Sequence, residues 1–292
     1  MLWIAGLWEG LEQAGYPEIP LSKLAIVDYL PLLDEYAQKV DRDTIRALVD
    51  SMALDLEAAE SDVGGTPAAH APPEAVCAHC RPRREVPEWA PARFVSQATA
   101  APASSHLLRM FPDIAAYLVL QEFRERVHEV VRASIAEHTP CVIVAHSLGA
   151  LAAIRAVASG RSGVRALVTV GSPAALPALR GPMEATLKSA FPEISGLPWL
   201  NVVNPYDGVT GGFLAVPPHF PPTVRNLVVA NRGEPHNVGR YLSHPPVGAF
   251  IAAAAQHLRR EEDDGPGPEP SPASGTEPSP WPVALRPVSS QD

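Results

Sequence analysis

Three side chains in this chain, Ser147, Asp207 and His236, have the types and the order that nucleophilic catalysis requires. A serine hydroxyl is a weak nucleophile until a neighbouring imidazole takes its proton, and the imidazole needs a carboxylate to hold its tautomer. Serine, then aspartate, then histidine is one of the chain orders in which such triads occur. Together the three residues predict an acyl-transfer reaction that passes through an acyl-enzyme.

Ser147 lies where the apolar run Cys141–His146 stops and a helix-compatible stretch begins. This pattern is typical of a nucleophile elbow, a sharp strand-to-helix turn that lifts the serine hydroxyl above the edge of a sheet. The turn accepts only small residues two positions before and after the serine, where Ala145 and Gly149 stand. The alternative is a buried strand followed by a helix that the serine merely caps.

The predicted roles of acid and base each have a second candidate residue in the chain. Asp207 follows a predicted strand but could instead be a turn residue, and Asp28 is the weaker rival for the acid. His236 follows the loop that leaves the last predicted strand, whereas its rival His244 stands further along the chain. We therefore predict Asp207 as the acid and His236 as the base.

Further residues are expected around the reacting group. The backbone N–H of Leu148, directly after the serine, is the first expected donor to the oxyanion. Because neighbours along an elbow point apart, His146 is expected to line the substrate pocket or to pack, and not to act as the base. Phe213 and Leu214 lie in a loop after the acid and predict a wall for an apolar acyl or alkyl group.

The elements that must position these residues follow from the hydrophobic pattern. It predicts helices at 3–14, 44–59, 114–137, 151–157 and 246–257, and strands at 24–29, 141–146, 164–170, 199–203 and 224–230. From the elbow onward strands and helices alternate, which predicts an α/β fold with a mostly parallel sheet and helices on both faces. Ligands bind beyond the carboxyl ends of such strands, where the three residues stand.

Four motifs of the chain resemble those of lipase/esterase-type serine hydrolases of the α/β-hydrolase superfamily, in particular bacterial ones. They are A-H-S-L-G at 145–149, V-G-S-P at 170–173, N-x-x-D at 204–207 and H-x-x-x-x-Y-L at 236–242. The resemblance covers roughly residues 1–60 and 107–258. It implies an α/β-hydrolase fold and a Ser-His-Asp triad that uses neither a metal nor an organic cofactor.

The chain departs from this family at its beginning. The family has a strand ahead of the helix at 3–14, and a His-Gly after that strand marks the second oxyanion donor, but this chain contains no His-Gly dipeptide. We expect a start upstream of Met1; a degraded relative, or another segment in the gap, are the alternatives. The departure motivates a second hypothesis, a catalytically impaired binding protein, and an acyltransferase or thioesterase would use the same triad.

Composition excludes several classes of function. The net charge of −9 argues against nucleic-acid binding, which requires a basic surface. Three cysteines are too few for a disulfide framework and indicate a reducing compartment. No apolar run reaches the roughly 18 residues of a membrane span, and no signal peptide is evident. These features predict a cytoplasmic protein. The predicted triad and the family resemblance, and not the composition, imply a small-molecule ester or acyl substrate.

Proline content divides the chain. We expect residues 1–60 to form the N-terminal part of the hydrolase domain, and residues 106–260 to form its core with the triad. Residues 61–105 read as a Pro/Ala-rich flexible insertion and 261–292 as a disordered tail, because both contain too few apolar residues to offset the entropy of ordering.

A short cysteine-containing motif lies within the insertion. Cys77 and Cys80 enclose His79 in the sequence C-A-H-C, and His70 stands upstream. Structural zinc sites use two spaced ligand pairs, and no second pair stands at a matching distance. We therefore predict no metal.

Overall fold

The structure, a computed structural model, describes residues 2–36, 39, 43, 114, 116–160, 163–175, 196–204, 206–210, 224–231 and 233–264. The α-helices in this part of the chain are α1 (Leu2–Gln13), α2 (Leu30–Tyr36), α3 (Gln121–Glu137), α4 (Leu148–Ala158), α5 (Val238–Leu242) and α6 (Pro245–Asp264). The strands are β1 (Cys141–His146), β2 (Val164–Val170), β3 (Trp199–Val203) and β4 (Val224–Val228). Among the helices described, none combines the length and the apolar character that a membrane span needs.

The four strands form one sheet in the order β1-β2-β3-β4, and every neighbouring pair is parallel. In the middle of the sheet Val144 is opposite Val168, which in turn is opposite Leu200. Because all four strands run the same way, their carboxyl ends meet at one edge of the sheet. The predicted α/β architecture is confirmed for the described part of the chain, where the sheet is parallel throughout.

Helices cover both faces of the sheet. Ala166, Val168 and Val170 of β2 pack in a core with residues of α1, α5 and α6. On the other face, Val164 and Leu167 of the same strand pack in a core with residues of α3 and α4. A parallel strand buried on both faces carries a near-continuous apolar sequence, which is why β2 could be predicted with its bounds.

Close approach of backbones joins α1 to α5 and α6. A Cβ added at Gly6 of α1 would lie 2.7 Å from the carbonyl carbon of Gly239 in α5. One added at Gly10 would lie 3.2 Å from the carbonyl carbon of Leu242, and one at Gly248 of α6 would overlap the Gly10 backbone. The helices approach so closely that only glycine fits at these positions. The close approach places α1 beside α5 and α6, the segment that follows His236.

The structure differs most from the predicted elements at residues 24–29 and at Leu120. Residues 24–29, predicted as a strand, form no strand, and the side chain of Ile26 is 72% exposed. The helix predicted at 114–137 is interrupted at Leu120, which has extended backbone angles (φ −91°, ψ 101°). Arg124 stabilises this break, since its Nη1 donates to the carbonyls of Tyr117 and Leu118.

Other predictions meet the structure only in part. Helix α6 continues to Asp264, so the first residues of the predicted tail, 261–264, are helical. Helix α5 was not predicted, and β4 ends two residues before the predicted strand. The predicted helix at 44–59 and insertion at 61–105, with the C-A-H-C motif, lie outside the described residues. Within them, no group of three or more His, Cys, Asp or Glu side chains could hold a metal ion.

Candidate active site

Ser147 stands between β1 and α4 in a conformation that non-glycine residues rarely adopt. Its backbone angles are φ 54° and ψ −129°, and no other described residue except glycine has a positive φ. Such a conformation costs of order 1–3 kcal/mol and persists only where the surrounding structure enforces it. Here the amide of Ser147 donates to the carbonyl of Val170 in β2 (3.2 Å), and its carbonyl accepts from Ala150 in α4 (2.9 Å).

The serine hydroxyl does not serve as the cap of α4. Although Ser147 precedes the helix, its side chain makes no capping hydrogen bond to the described backbone. The simple capping interpretation therefore has no contact to support it. Leu148, whose amide was predicted to donate to an oxyanion, is the first residue of α4 and has a buried side chain.

Gly149 and Gly171 show why the surroundings of the serine need small residues. A Cβ at Gly149 would lie 2.8 Å from the hydroxyl oxygen of Tyr29. Gly171, directly after β2, has a φ of 58°, and a Cβ there would lie 3.3 Å from both Asp207 Oδ2 and His146 Cδ2. Gly171 thus lies against the predicted acid and against the residue before the predicted nucleophile.

Asp207 and His236 are brought together by the ends of β3 and β4. His236 Nδ1 lies 2.7 Å from Asp207 Oδ2, and the aspartate is only 1% exposed. The second carboxylate oxygen, Oδ1, accepts from the amide of Val209 (3.0 Å). An ionised carboxylate can only accept, so the neutral His236 ring carries its proton on Nδ1 and leaves Nε2 as the acceptor.

The Nε2 atom of His236 is the one that a catalytic base would use. It is buried and makes no hydrogen bond to any described residue. A buried acceptor without a partner is uncommon in folded proteins and is a feature of sites that act on another group. Among the described residues, the only side-chain hydrogen bond that orients the ring is therefore the one at Nδ1.

His146, predicted to line the pocket, contacts His236, the predicted base. Its Nε2 lies 3.1 Å from the backbone carbonyl oxygen of His236, and the centroids of the two rings are 4.4 Å apart. The ring of Trp3 in α1 also packs edge-to-face with the His146 ring, and the two ring centroids are 6.0 Å apart. Burial, and next the neighbouring His236, lower the pKa of His146 to about 3. His146 is therefore neutral and donates from Nε2 to the carbonyl.

Two residues of the site were not predicted from the sequence. Tyr241 of α5 donates its hydroxyl proton to Asp207 Oδ2 (2.7 Å). Asn204, which follows β3, donates from Nδ2 to the carbonyls of Asn231 (3.0 Å) and Pro235 (2.8 Å). The tyrosine and the asparagine both belong to motifs seen in the sequence, N-x-x-D and H-x-x-x-x-Y-L, but nothing local indicated their partners.

The rivals of the triad residues have other positions. Asp28 lies exposed in the loop at 24–29, whereas Asp207 is buried. His244 Nε2 is hydrogen-bonded to Asn231 Oδ1 (2.8 Å). Ser172, a second serine at the end of a strand, accepts from the amide of Ala174 (3.2 Å) and so stabilises the turn.

Two predicted features of the site, the apolar wall and the second oxyanion donor, are not among the described residues. Phe213 and Leu214, predicted to form an apolar wall, lie outside the described residues. In the described part of the chain β1 pairs with β2 alone, so the neighbouring strand that would carry a second oxyanion donor is not among these residues. Comparisons of the chain with protein-family models, with curated proteins and with solved structures find no match.

Proposed function

We propose that this chain is a serine hydrolase of the α/β-hydrolase fold that cleaves an ester or another acyl bond. One observation carries the proposal: the strained Ser147 after β1 stands at the same sheet edge as the buried Asp207–His236 hydrogen bond of 2.7 Å. An elbow with positive φ presents a side chain to a ligand at that edge, and a histidine oriented by a carboxylate is the base that a serine needs.

The proposed reaction assigns one role to each residue. Ser147 Oγ attacks the acyl carbon while His236 Nε2 takes the hydroxyl proton, and Asp207 stabilises the resulting imidazolium. The amide of Leu148 donates to the oxyanion. The leaving group departs with the proton from His236 and leaves the acyl group on Ser147 Oγ. Water then attacks the acyl carbon as His236 Nε2 takes its proton. The bond to Ser147 Oγ breaks, the carboxylic acid product leaves, and the proton returns from His236 to Ser147 Oγ. Neither metal nor organic cofactor takes part in these steps.

The substrate is expected to be a small molecule with an apolar acyl or alkyl part. This expectation rests on Phe213 and Leu214, which follow the acid along the chain. The partly exposed Trp3, in contact with His146, adds a second apolar surface near the predicted base.

A fluorophosphonate probe, which reacts with activated serines, tests the proposal. Wild-type protein is expected to be labelled, and Ser147→Ala to lose all labelling. Ser172→Ala is the matched control, because Ser172 also follows a strand of this sheet but bonds to the backbone of its own turn. It is expected to be labelled as the wild type is.

Hydrolysis of a p-nitrophenyl ester gives the corresponding rate. Ser147→Ala and His236→Ala are each expected to lower kcat by roughly 10³-fold or more, since members of a triad act as a unit. A folded wild type that is not labelled, or a Ser147→Ala variant that keeps its labelling, would contradict the proposal.

The second candidate is a protein that binds an acyl ligand without cleaving it. The observation that favours it is in the sequence, which contains no His-Gly dipeptide to mark a second oxyanion donor, because loss of one such donor typically costs about 10²–10³ in rate. Saturable binding of an ester by protein that resists the probe would favour this candidate. An acyltransferase or thioesterase would be labelled too, and comparison of ester, thioester and alcohol acceptors separates these activities.

A further inference from the structure

The carboxylate oxygen that faces His236 receives a second hydrogen bond, from Tyr241. Asp207 Oδ2 lies 2.7 Å from His236 Nδ1 and 2.7 Å from the Tyr241 hydroxyl. Neither Asp207 nor Tyr241 has more than 1% of its surface exposed. Two donors on one desolvated oxygen determine the direction in which the carboxylate group points.

The direction of the tyrosine hydrogen bond is set by its surroundings. Its partner is a carboxylate, which can only accept when ionised, so the hydroxyl proton of Tyr241 is directed to Asp207 Oδ2. Burial, and next the charge of Asp207, raise the pKa of Tyr241 well above its usual value, so the phenol keeps its proton at neutral pH.

The tyrosine is itself held firmly in place. It lies in α5, whose first turn is capped by Asn237, and its ring belongs to the core between the sheet and α6. A Cβ at Gly171 would lie 3.2 Å from Tyr241 Cε2, so the ring also packs against the turn after β2. The donor to Asp207 thus comes from a packed core residue and not from a mobile side chain.

We propose that Tyr241 is a positioning residue, whose hydroxyl holds Asp207 Oδ2 toward His236 Nδ1 and thereby determines how His236 faces Ser147. Its effect on rate rests on the proposed hydrolase function, whereas its effect on the Asp207–His236 hydrogen bond does not. A tyrosine that only fills the core would affect stability and leave both the rate and the hydrogen bond unchanged.

Tyr241→Phe, which keeps the ring and removes the hydroxyl, tests the rate. With p-nitrophenyl acetate as substrate we expect kcat per folded molecule to fall roughly 10-fold to 100-fold, since small displacements of catalytic groups have effects of this size. KM is expected to stay within about twofold, because the residue does not touch the substrate.

Tyr117→Phe is the matched control. Tyr117 is also a buried tyrosine, and its hydroxyl is hydrogen-bonded to His128 Nε2 (2.6 Å) in the core on the other face of the sheet. Its loss is expected to lower Tm comparably and to leave kcat within about twofold of wild type. Equal kcat for Tyr241→Phe and wild type would overturn the proposal.

Proton NMR of the wild type provides a second test that does not depend on the folding of a variant. The His236 Nδ1 proton and the Tyr241 hydroxyl proton both point at Asp207 Oδ2, so we expect two downfield signals joined by a nuclear Overhauser effect. Assigned signals without this effect would overturn the proposal.

The same spectra separate the proposal from the proposed function. In Tyr241→Phe the His236 Nδ1 signal is expected to shift and broaden, whether or not the protein is labelled by a fluorophosphonate. A shifted signal in protein that resists the probe supports the positioning role and rejects the hydrolase. An unchanged signal in labelled protein does the reverse.

Discussion

At the scale of single residues, one buried amide connects the loop of the predicted acid with the loop of the predicted base. Asn204 lies three residues before Asp207 and binds the carbonyl of Pro235, the residue directly before His236. It also binds both the amide and the carbonyl of Asn231. Because a single side chain spans the two loops, we expect it to help set the distance between the predicted acid and the predicted base.

Asn204→Ala is expected to lower both stability and rate. The change leaves two buried carbonyls without their donor, and we expect a loss of roughly 2–4 kcal/mol in the free energy of unfolding. The rate of ester hydrolysis per folded molecule should fall at least about 10-fold, because the loop of His236 is released. Urea unfolding and steady-state kinetics measure the two effects.

Asn201→Ala provides the control for this prediction. Asn201 is buried in the same strand, β3, and is hydrogen-bonded to Thr169 and Asn226 within the sheet. Its loss should be comparably destabilising but should leave the rate of the folded protein unchanged. If both variants lost rate equally, Asn204 would have no special connection with the base.

At the scale of elements, α1 packs against two parts of the predicted site, helix α5 and the ring of His146. It contacts α5, which begins two residues after His236, and it presents Trp3 to the ring of His146. The contact with α5 is one of backbone against backbone at Gly6 and Gly239, so even one methyl group changes the spacing of the two helices.

Gly6→Ala is expected to push α1 away from α5. Alanine favours a helix by up to about 1 kcal/mol over glycine, but overpacking costs about 1–3 kcal/mol, so a net loss of stability follows. Ala5→Leu, on the exposed face of the same helix, should change the stability by less than about 0.5 kcal/mol. Thermal unfolding of the two variants measures this difference. Equal Tm values for Gly6→Ala and Ala5→Leu would show that α1 and α5 can move apart without a loss of stability.

Two strands whose bounds were predicted correctly from the sequence are buried on both faces. The bounds of β2 and β3 agree with the predicted 164–170 and 199–203, because apolar runs buried on both faces are bounded by turn residues. The run at 24–29 has the same apolar character, yet none of the described strands pairs with it and it forms no strand itself. Local pattern cannot distinguish these cases, since pairing is a property of the tertiary structure.

The candidate site, like the fold, was predictable only where the local sequence carries the signal. The elbow, the acid and the base are each recognisable from local sequence, and the structure brings Asp207 and His236 into contact. The partners of Asn204 and Tyr241 were not recognisable, because these contacts join residues 31 and 34 positions apart. Their chemical types, a buried amide and a phenol, are equally common in ordinary cores.

At the scale of the whole molecule, two histidines with lowered pKa values, His128 and His146, couple the stability of the fold to pH. Burial, and next the charge of Arg155, lower the pKa of His128 to about 4, and the pKa of His146 is lowered to about 3. The unfolded chain binds protons at these residues near the ordinary value of 6.5, whereas the folded chain does not. The folded state is therefore favoured at neutral pH and loses stability as the pH falls below about 6.5.

The pH dependence can be assigned by substitution. Each histidine contributes at most about 1.4 kcal/mol per pH unit between about pH 6.5 and its folded value, and the half-buried His128 contributes less. We expect His146→Gln and His128→Gln each to flatten the slope of unfolding free energy against pH, as measured by urea unfolding from neutral pH to about pH 4. Slopes identical to that of the wild type would show that neither histidine is protonated on unfolding.

The Nε2 atom of His236, which has no hydrogen-bond partner among the described residues, has a consequence for the stability of the fold. A buried acceptor without a partner costs about 1–3 kcal/mol, and the strained backbone of Ser147 adds a similar amount. Both costs fall at one edge of the sheet, so selection for thermal stability alone is expected to favour other residues there, such as a glycine in place of Ser147.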